Sequence, residues 1–207
     1  MPKEPFEDPL SEADYYWAGL LAADGSLMPP RHIQMRLSDI DAVLQFQEFL
    51  GIGSTCWLRD PVRAGHVGKT CLHFSGYSSK VFDRLVTLGI TPKKSHTLKV
   101  SDRLALSPIF WRGAFDGDGS FTMLRGKYFL MGFCSSSLTF ITQFHSFLNS
   151  IGLNPTISTR TLKSGLLHYY VQLVSKKTVR FCESVYGDPC TLFFPRKKAI
   201  FDRYISL

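Results

Sequence analysis

The sequence predicts an α+β fold built twice in one chain. Three observations carry that reading: a pair of stretches that are versions of one another, further matched segments in the same order, and the same succession of helical and strand patterns in each half. The stretches are Trp17-Ala-Gly-Leu-Leu-Ala-Ala-Asp24-Gly25-Ser26 and Trp111-Arg-Gly-Ala-Phe-Asp-Gly-Asp118-Gly119-Ser120. Their final acids lie 94 residues apart in a chain of 207, which leaves room for two copies of about a hundred residues each. Gln45-Phe46-Gln-Glu-Phe49-Leu50 matches Gln143-Phe144-His-Ser-Phe147-Leu148 at a shift of 98, and Thr91-Pro92-Lys93-Lys94 matches Phe194-Pro195-Arg196-Lys197 at a shift of 103. Landmarks that keep their order while their offset drifts fit two halves with loops of unequal length. The expected halves are residues 1–103, which include the start of a crossover over 95–107, and residues 104–207.

Ser11 followed by Asp14 has the form of a capping box, and a helix should run from about residue 12 to Asp24, where Gly25 ends it. In the second copy Ser107 caps, Pro108 takes the first helical position, and Gly119 follows Asp118. Both acids therefore sit at helix C-termini. Gly19 with Ala23, and Gly113 with Gly117, are four residues apart and share one face. Each stripe lacks bulky side chains, so the two helices should pack against each other. Glycine weakens a helix by about 1 kcal/mol relative to alanine, and close packing is the simplest compensation for Gly113 and Gly117 together.

After each helix the period changes to two. His32, Gln34 and Arg36 alternate with Ile33, Met35 and Leu37 to give a polar face and a core face; Phe129, Met131 and Phe133 take the core role in the second half. Helices should follow over 39–50 and 137–150. Strand pairs are expected at 55–59 with 69–75 and at 156–162 with 168–174. Each half thus reads helix, hairpin, helix, hairpin, helix, and the unequal loops 60–68 and 163–166 absorb part of the drift.

With 44% hydrophobic and 14% aromatic residues, the chain has enough apolar side chain for a substantial core. Its apolar runs fall far short of the roughly 20 residues of a membrane helix, and no hydrophobic signal core follows Met1. The expectation is a protein of the cytoplasm or an organellar matrix that is not secreted. Five cysteines with no Cys-x-x-Cys pair argue against a disulfide framework or structural zinc. Net charge is +7, but residues 1–103 carry equal numbers of acidic and basic residues, so all of the excess falls in residues 104–207. A polyanionic partner would meet two unlike halves.

A carboxylate at a helix C-terminus faces the negative end of the macrodipole. Two of them brought together by packed helices repel, and a divalent cation removes the conflict. Hard oxygen ligands with substrate phosphate suit Mg2+, and phosphodiester hydrolysis uses metal to activate water and stabilise the leaving oxygen. Either Asp-Gly pair alone would read as a surface turn; recurrence in matching helices argues against that. An EF-hand loop over Asp116-Gly-Asp118-Gly-Ser120 fails, because Phe121 and Lys127 stand where Gly and Glu are required.

Both stretches resemble the LAGLIDADG motif of homing endonucleases, and the chain as a whole is similar to the monomeric, two-motif branch. Phe110-Trp-Arg-Gly-Ala-Phe-Asp-Gly-Asp-Gly-Ser-Phe121 is a highly specific match. Ala18-Gly-Leu-Leu-Ala-Ala-Asp-Gly25 departs at Ala22, a non-catalytic motif position where the family often has an acid. The resemblance implies two αββαββα halves about a pseudo-two-fold axis along the motif helices, with saddle-shaped antiparallel sheets astride duplex DNA. It implies metal ligation by Asp24 and Asp118, completed by backbone carbonyls such as those of Ala23 and Gly117, with Mg2+ as the cofactor and Mn2+ or Ca2+ able to take its place. Both strands would be cut across the minor groove, leaving 3′ extensions. Lys94 and Lys197 occupy the positions of basic residues that assist cleavage, and Gln34 is a further candidate for positioning water or phosphate.

Alternate residues of a two-stranded ribbon reach base edges in the major groove. The candidates are His32, Gln34, Arg36, Arg59, Lys69 and His73 in the first half. In the second they are Arg125, Lys127, Ser158, Arg160, His168, Tyr170 and Gln172. A one-residue slip of strand register would swap the faces. The expected function is therefore a site-specific double-strand DNA endonuclease acting as a monomer. An RNA maturase on the same fold and a non-cleaving DNA-binding regulator are the alternatives.

Overall fold

The computed structural model describes residues 3–59, 69–124, 128–162, 164–187 and 191–205. Helix α1 (Glu12–Ala23) leads into a sheet formed by β1 (Gly25–Met28), β2 (His32–Leu37), β3 (Ser54–Arg59) and β4 (Cys71–Tyr77), with α2 (Ile40–Leu50) between the hairpins and α3 (Ser79–Thr87) after them. A 3-10 turn (Lys94–His96) and the short α4 (Asp102–Ala105) make the crossover. Then α5 (Pro108–Asp118) leads into β5 (Ser120–Leu124), β6 (Tyr128–Ser135), β7 (Ile157–Thr161) and β8 (Leu167–Val174). Here α6 (Leu138–Ser150) lies between the hairpins, and α7 (Lys176–Tyr186) and α8 (Pro195–Ile205) follow. The sheets are antiparallel, ordered β1-β2-β4-β3 and β5-β6-β8-β7. Among the described residues no helix is long and apolar enough to cross a membrane.

The expected α+β duplication is present, with two differences. The second half has an additional terminal helix, α8, that the repeat pattern did not anticipate. Strand β4 spans Cys71–Tyr77 rather than 69–75, because its first residue pairs with Arg59 at the end of β3 and its last with His32 at the start of β2. Lys69 consequently lies off the sheet, which corrects its placement on the reading face.

Ser11 forms the expected capping box: its hydroxyl accepts from Asp14 N–H while the Asp14 carboxylate accepts from Ser11 N–H at 2.7 Å. The hydroxyls of Ser107 and Ser137 cap α5 and α6. The recurrent Gln-Phe-x-x-Phe-Leu segment is explained by packing on the motif tryptophans. Phe46 lies 5.3 Å from Trp17 and Phe144 lies 4.9 Å from Trp111, ring centre to ring centre, with Phe49 and Phe147 each 6.0 Å from the same rings. Such aromatic pairs add about 0.5–1.5 kcal/mol beyond their buried area. In the second copy the leading glutamine has a task of its own. The Gln143 amide donates to the Val100 carbonyl at 2.7 Å and accepts from its N–H at 3.1 Å, strapping the crossover to α6.

Helices α1 and α5 meet backbone to backbone. A Cβ on Gly19 would stand 2.0 Å from the Phe110 carbonyl oxygen and 2.7 Å from Ala114 N; one on Gly113 would stand 2.0 Å from the Tyr16 carbonyl oxygen. At Gly117 the added carbon would meet the Ala23 side chain at 2.5 Å. Both stripes inferred from the sequence face the partner helix. Gly19→Ala and Gly113→Ala are therefore each expected to destabilise the protein by about 1–3 kcal/mol or more, since backbone cannot yield as a flexible side chain can. Gly53→Ala, which meets nothing within 4 Å, serves as the control. Thermal melts in which all three variants match the parent would refute the contact.

Candidate active site at the motif-helix C-termini

The backbone contact brings the two motif acids to one place. Asp24 is the C-cap of α1 and Asp118 the last residue of α5. The side chain of Asp24 reaches across to the other helix: its Oδ2 lies 2.8 Å from where a Cβ on Gly117 would be. Residue 117 must therefore be small for the carboxylate to sit there.

Neither motif helix has a basic residue in its own last turn, and the cations come from elsewhere. Buried Lys94 donates from Nζ to the Gly25 carbonyl at 2.7 Å. Lys197, 3% exposed, donates to the carbonyls of Phe115, Asp116 at 2.7 Å and Gly119 at 2.6 Å, with a 3.4 Å contact to Gly117. Gly25 and Gly119 are equivalent in the repeat, so the two lysines take equivalent positions, as their shared Pro-basic-Lys context predicts. Cations at helix C-termini complement the macrodipole. Part of the conflict assigned above to a divalent cation is thus offset by the chain itself.

The compensation is incomplete. Burial pushes the Asp118 carboxyl up to about 6, the charge of Asp24 adds to the rise, and Lys94 and Lys197 oppose it. Burial also raises Asp24, against the pull of Lys197 and Lys94. Both acids keep solvent-exposed surface, so the effect arises from the protein packed beneath them, and solvent screening limits its energetic weight. Burial lowers Lys94, and it lowers Lys197 to about 8. Two partly desolvated carboxylates that still repel fit a hard divalent cation. No group of three or more His, Cys, Asp or Glu surrounds a metal position among the described residues. Further ligands would have to be backbone carbonyls, water and phosphate oxygens, which Mg2+ accepts.

The surroundings of the two acids differ. Asp24 opens on a cavity of about 300 Å3 shared with Ser26, Gln34, Arg36 and His73. Asp118 opens on one of about 160 Å3 shared with Ala23, Lys94, Cys134, Ser135 and His168. By strand register Gln34 corresponds to Gly132, Arg36 to Cys134 and His73 to Tyr170.

The structure brings Gln34, Lys94, Lys197 and both acids together. It also places the candidates that lie on described strands on one face in each half. Arg36 pairs across the sheet with His73, which stacks on Trp57 at 4.2 Å. His32 and Arg59 share that face, opposite buried Ile33, Met35, Leu72 and Phe74. Burial, with the charges of Arg36 and Arg59, lowers the His73 pKa. In the second half Ser158 pairs with Tyr170, Arg160 with His168, and Gln172 with Gly132, opposite buried Val171 and Leu173. On the described strands these candidates stand on the face away from the core. Arg125 and Lys127 lie outside the described residues.

Asp116 was not among the candidates. Fully buried, it accepts from the hydroxyls of Tyr16 at 3.0 Å and Tyr186 at 2.6 Å and from Phe194 N–H at 2.8 Å. It thereby fixes the segment that carries Lys197 to both motif helices. Its counterpart Ala22 has no side-chain acceptor, so the segment that carries Lys94 is not held in this way. Arg196, two residues after Phe194, forms a bidentate pair with Asp39 of the first half at 2.9 and 3.0 Å. The sequence signal for Asp116 was its place in the motif; nothing local marked Tyr186 or Asp39 as partners.

Paired helices ending in acids, beneath two four-stranded sheets, define the two-motif LAGLIDADG fold. Residues 108–187 match the sequence family described as LAGLIDADG-like domain. The homing endonuclease I-WcaI bound to its DNA recognition sequence is similar at a TM-score of 0.60 and 15% identity, covering 92% of this chain and 86% of that one. I-DmoI in complex with DNA and Ca gives 0.59 and 13%, covering 91% and 96%. The N-terminal LAGLIDADG domain of DUF199/WhiA gives 0.57 and 15%, covering 94% and 91%. No curated protein matches the chain by sequence.

A carboxyl whose folded pKa is raised from 3.8 to about 6 contributes stability that is full below the lower value and is lost as pH rises through the upper one. Asp118→Asn removes that titration and the repulsion behind it. In EDTA, the melting temperature of Asp118→Asn relative to the parent is expected to climb between about pH 4 and 7. A difference that stays flat across this window would show that Asp118 titrates normally.

Proposed function

We propose that this protein is a site-specific, divalent-metal-dependent DNA endonuclease that acts as a monomer, with halves dividing near residues 103 and 104. The observation that carries the reading is the pair Asp24 and Asp118, held side by side at abutting helix ends with raised pKa values. The fold supports duplex DNA as the substrate but occurs in DUF199/WhiA as well as in homing endonucleases. Cleavage is therefore argued from the acids.

In this reading the duplex lies across the polar faces of both sheets, so that the minor groove passes over the acids. Asp24 and Asp118 would hold the metal, with the backbone carbonyls of Ala23 and Gly117 as candidate further ligands. A bound Mg2+ would supply Lewis-acid activation of water and stabilise the leaving oxygen. Lys94 and Lys197 place positive charge beside the carboxylates, where negative charge develops on the phosphate. Gln34 and Arg36 border the Asp24 side, with no charged equivalent at Gly132 or Cys134, so the two strands meet different groups. Hydrolysis of both strands leaves 3′ extensions.

Sequencing the ends produced from a randomised duplex library with Mg2+ tests the assignment. Asp24→Asn and Asp118→Asn are expected to abolish double-strand cleavage while retaining DNA affinity, and binding should survive EDTA. Robust cutting by the double Asn variant would remove the proposed site. Lys94→Met should slow single-turnover cleavage at saturating protein more than it weakens binding. If the loss of affinity accounts for the whole effect, Lys94 is an ordinary phosphate contact.

A further inference from the structure

All of the excess positive charge falls in the second half, yet Arg160 is the basic residue its described sheet face presents. Elsewhere Arg112 and Lys197 are buried against carbonyls, and Arg196 and Lys198 are paired with Asp39 and Asp202. Arg180 and Arg203 are exposed on α7 and α8 without an ion pair to a described residue but line no part of the groove beside the sheet face, whereas Lys176 and Lys177 do. Both lysines are exposed, and neither has an ion pair with a described residue. They line this groove, of about 720 Å3, together with Ser158, Tyr170 and Gln172. Those three side chains belong to the reading face, so the groove continues that face onto the first turn of α7.

Strand register locates this corner. Val174, just before it, pairs with Leu130, four residues along β6 from Cys134, which is roughly 13 Å of strand. Cys134 borders Asp118, so the lysines lie at the outer end of the sheet, away from the acids. The same register makes Lys177 the counterpart of Lys80. In the first half that corner is neutralised: Lys80 Nζ lies 3.1 Å from Glu4 Oε1, and Arg84 lies 3.0 Å from Glu4 Oε2.

We propose that Lys176 and Lys177 form a backbone-phosphate anchor for the outer flank of a DNA duplex on the second-half side, at a corner whose first-half counterpart is neutralised. The inference rests on the DNA-binding reading above. Its occupant follows from charge complementarity and from the continuity of the groove with the sheet face. Anchoring at one end alone orients the protein on an asymmetric site, because the contact carries no base information and acts wherever a phosphate passes.

The test is a salt titration of binding to a random-sequence duplex pool in EDTA, with the double variant Lys176→Ala/Lys177→Ala and with Lys80→Ala as the control. Each phosphate neutralised contributes about 0.9 to the slope of log K against log salt on duplex DNA. The double variant is expected to flatten the slope by about 1–2, with an unchanged melting temperature and unchanged base preference. Lys80→Ala should keep the parental slope. A double variant that keeps the parental slope, or one matched by Lys80→Ala, overturns the anchor and leaves the DNA reading standing. A change confined to structured RNA also overturns it. A parent that fails to bind the duplex pool at all overturns the DNA reading and the anchor with it.

Discussion

The contact between the backbones of α1 and α5 is the constraint on which the rest depends. Gly19 and Gly113 let each helix rest on the carbonyls of the other, at a separation that leaves no room for a single added carbon. This brings the two helix ends together and delivers two carboxylates to one spot. The sheets, which are entered directly from those helix ends at Gly25 and Ser120, spread to either side of the same point. Fold and candidate site therefore share one origin, and the site cannot loosen without the halves separating.

Two carboxylates at the negative ends of two helices would make a poor resting state. The lysines of the Pro-basic-Lys segments reduce that cost by donating to the terminal carbonyls. They also hold back the rise in the carboxyl pKa values without cancelling it. What remains is a partly desolvated, negative oxygen cluster bordered by two cations. Such a site is suited to accept a divalent ion together with a phosphate.

The duplication is faithful where geometry demands it and relaxed elsewhere. Trp17 and Trp111, Phe46 and Phe144, and Lys94 and Lys197 repeat because they pack or cap the motif helices. Ala22 against Asp116, Arg36 against Cys134, and the neutralised Lys80 against Lys177, which has no ion pair among the described residues, differ because nothing in the helix contact requires them to agree. Asp116 is retained as an acid where α8 must be fastened to the motif helices. These differences give the two halves distinct chemical surfaces on one scaffold.

The sequence by itself determined the duplication, the helix ends, the glycine stripes and the face on which the candidates of the described strands stand. Those features are periodic or local: a cap, a turn and a repeating spacing are written in consecutive residues. It also marked the two acids and the two lysines, because each recurs in a matching context. Only the tertiary structure decided what those groups touch. That Lys197 binds the carbonyls of α5, that Asp116 binds Tyr16, Tyr186 and Phe194, and that Arg196 reaches Asp39 are contacts across 70 residues or more. No local pattern encodes them, since each is set by how the packed halves bring distant segments together. The extent of β4 and the added helix α8 belong to the same class, because strand ends and terminal helices are fixed by the partners available to them.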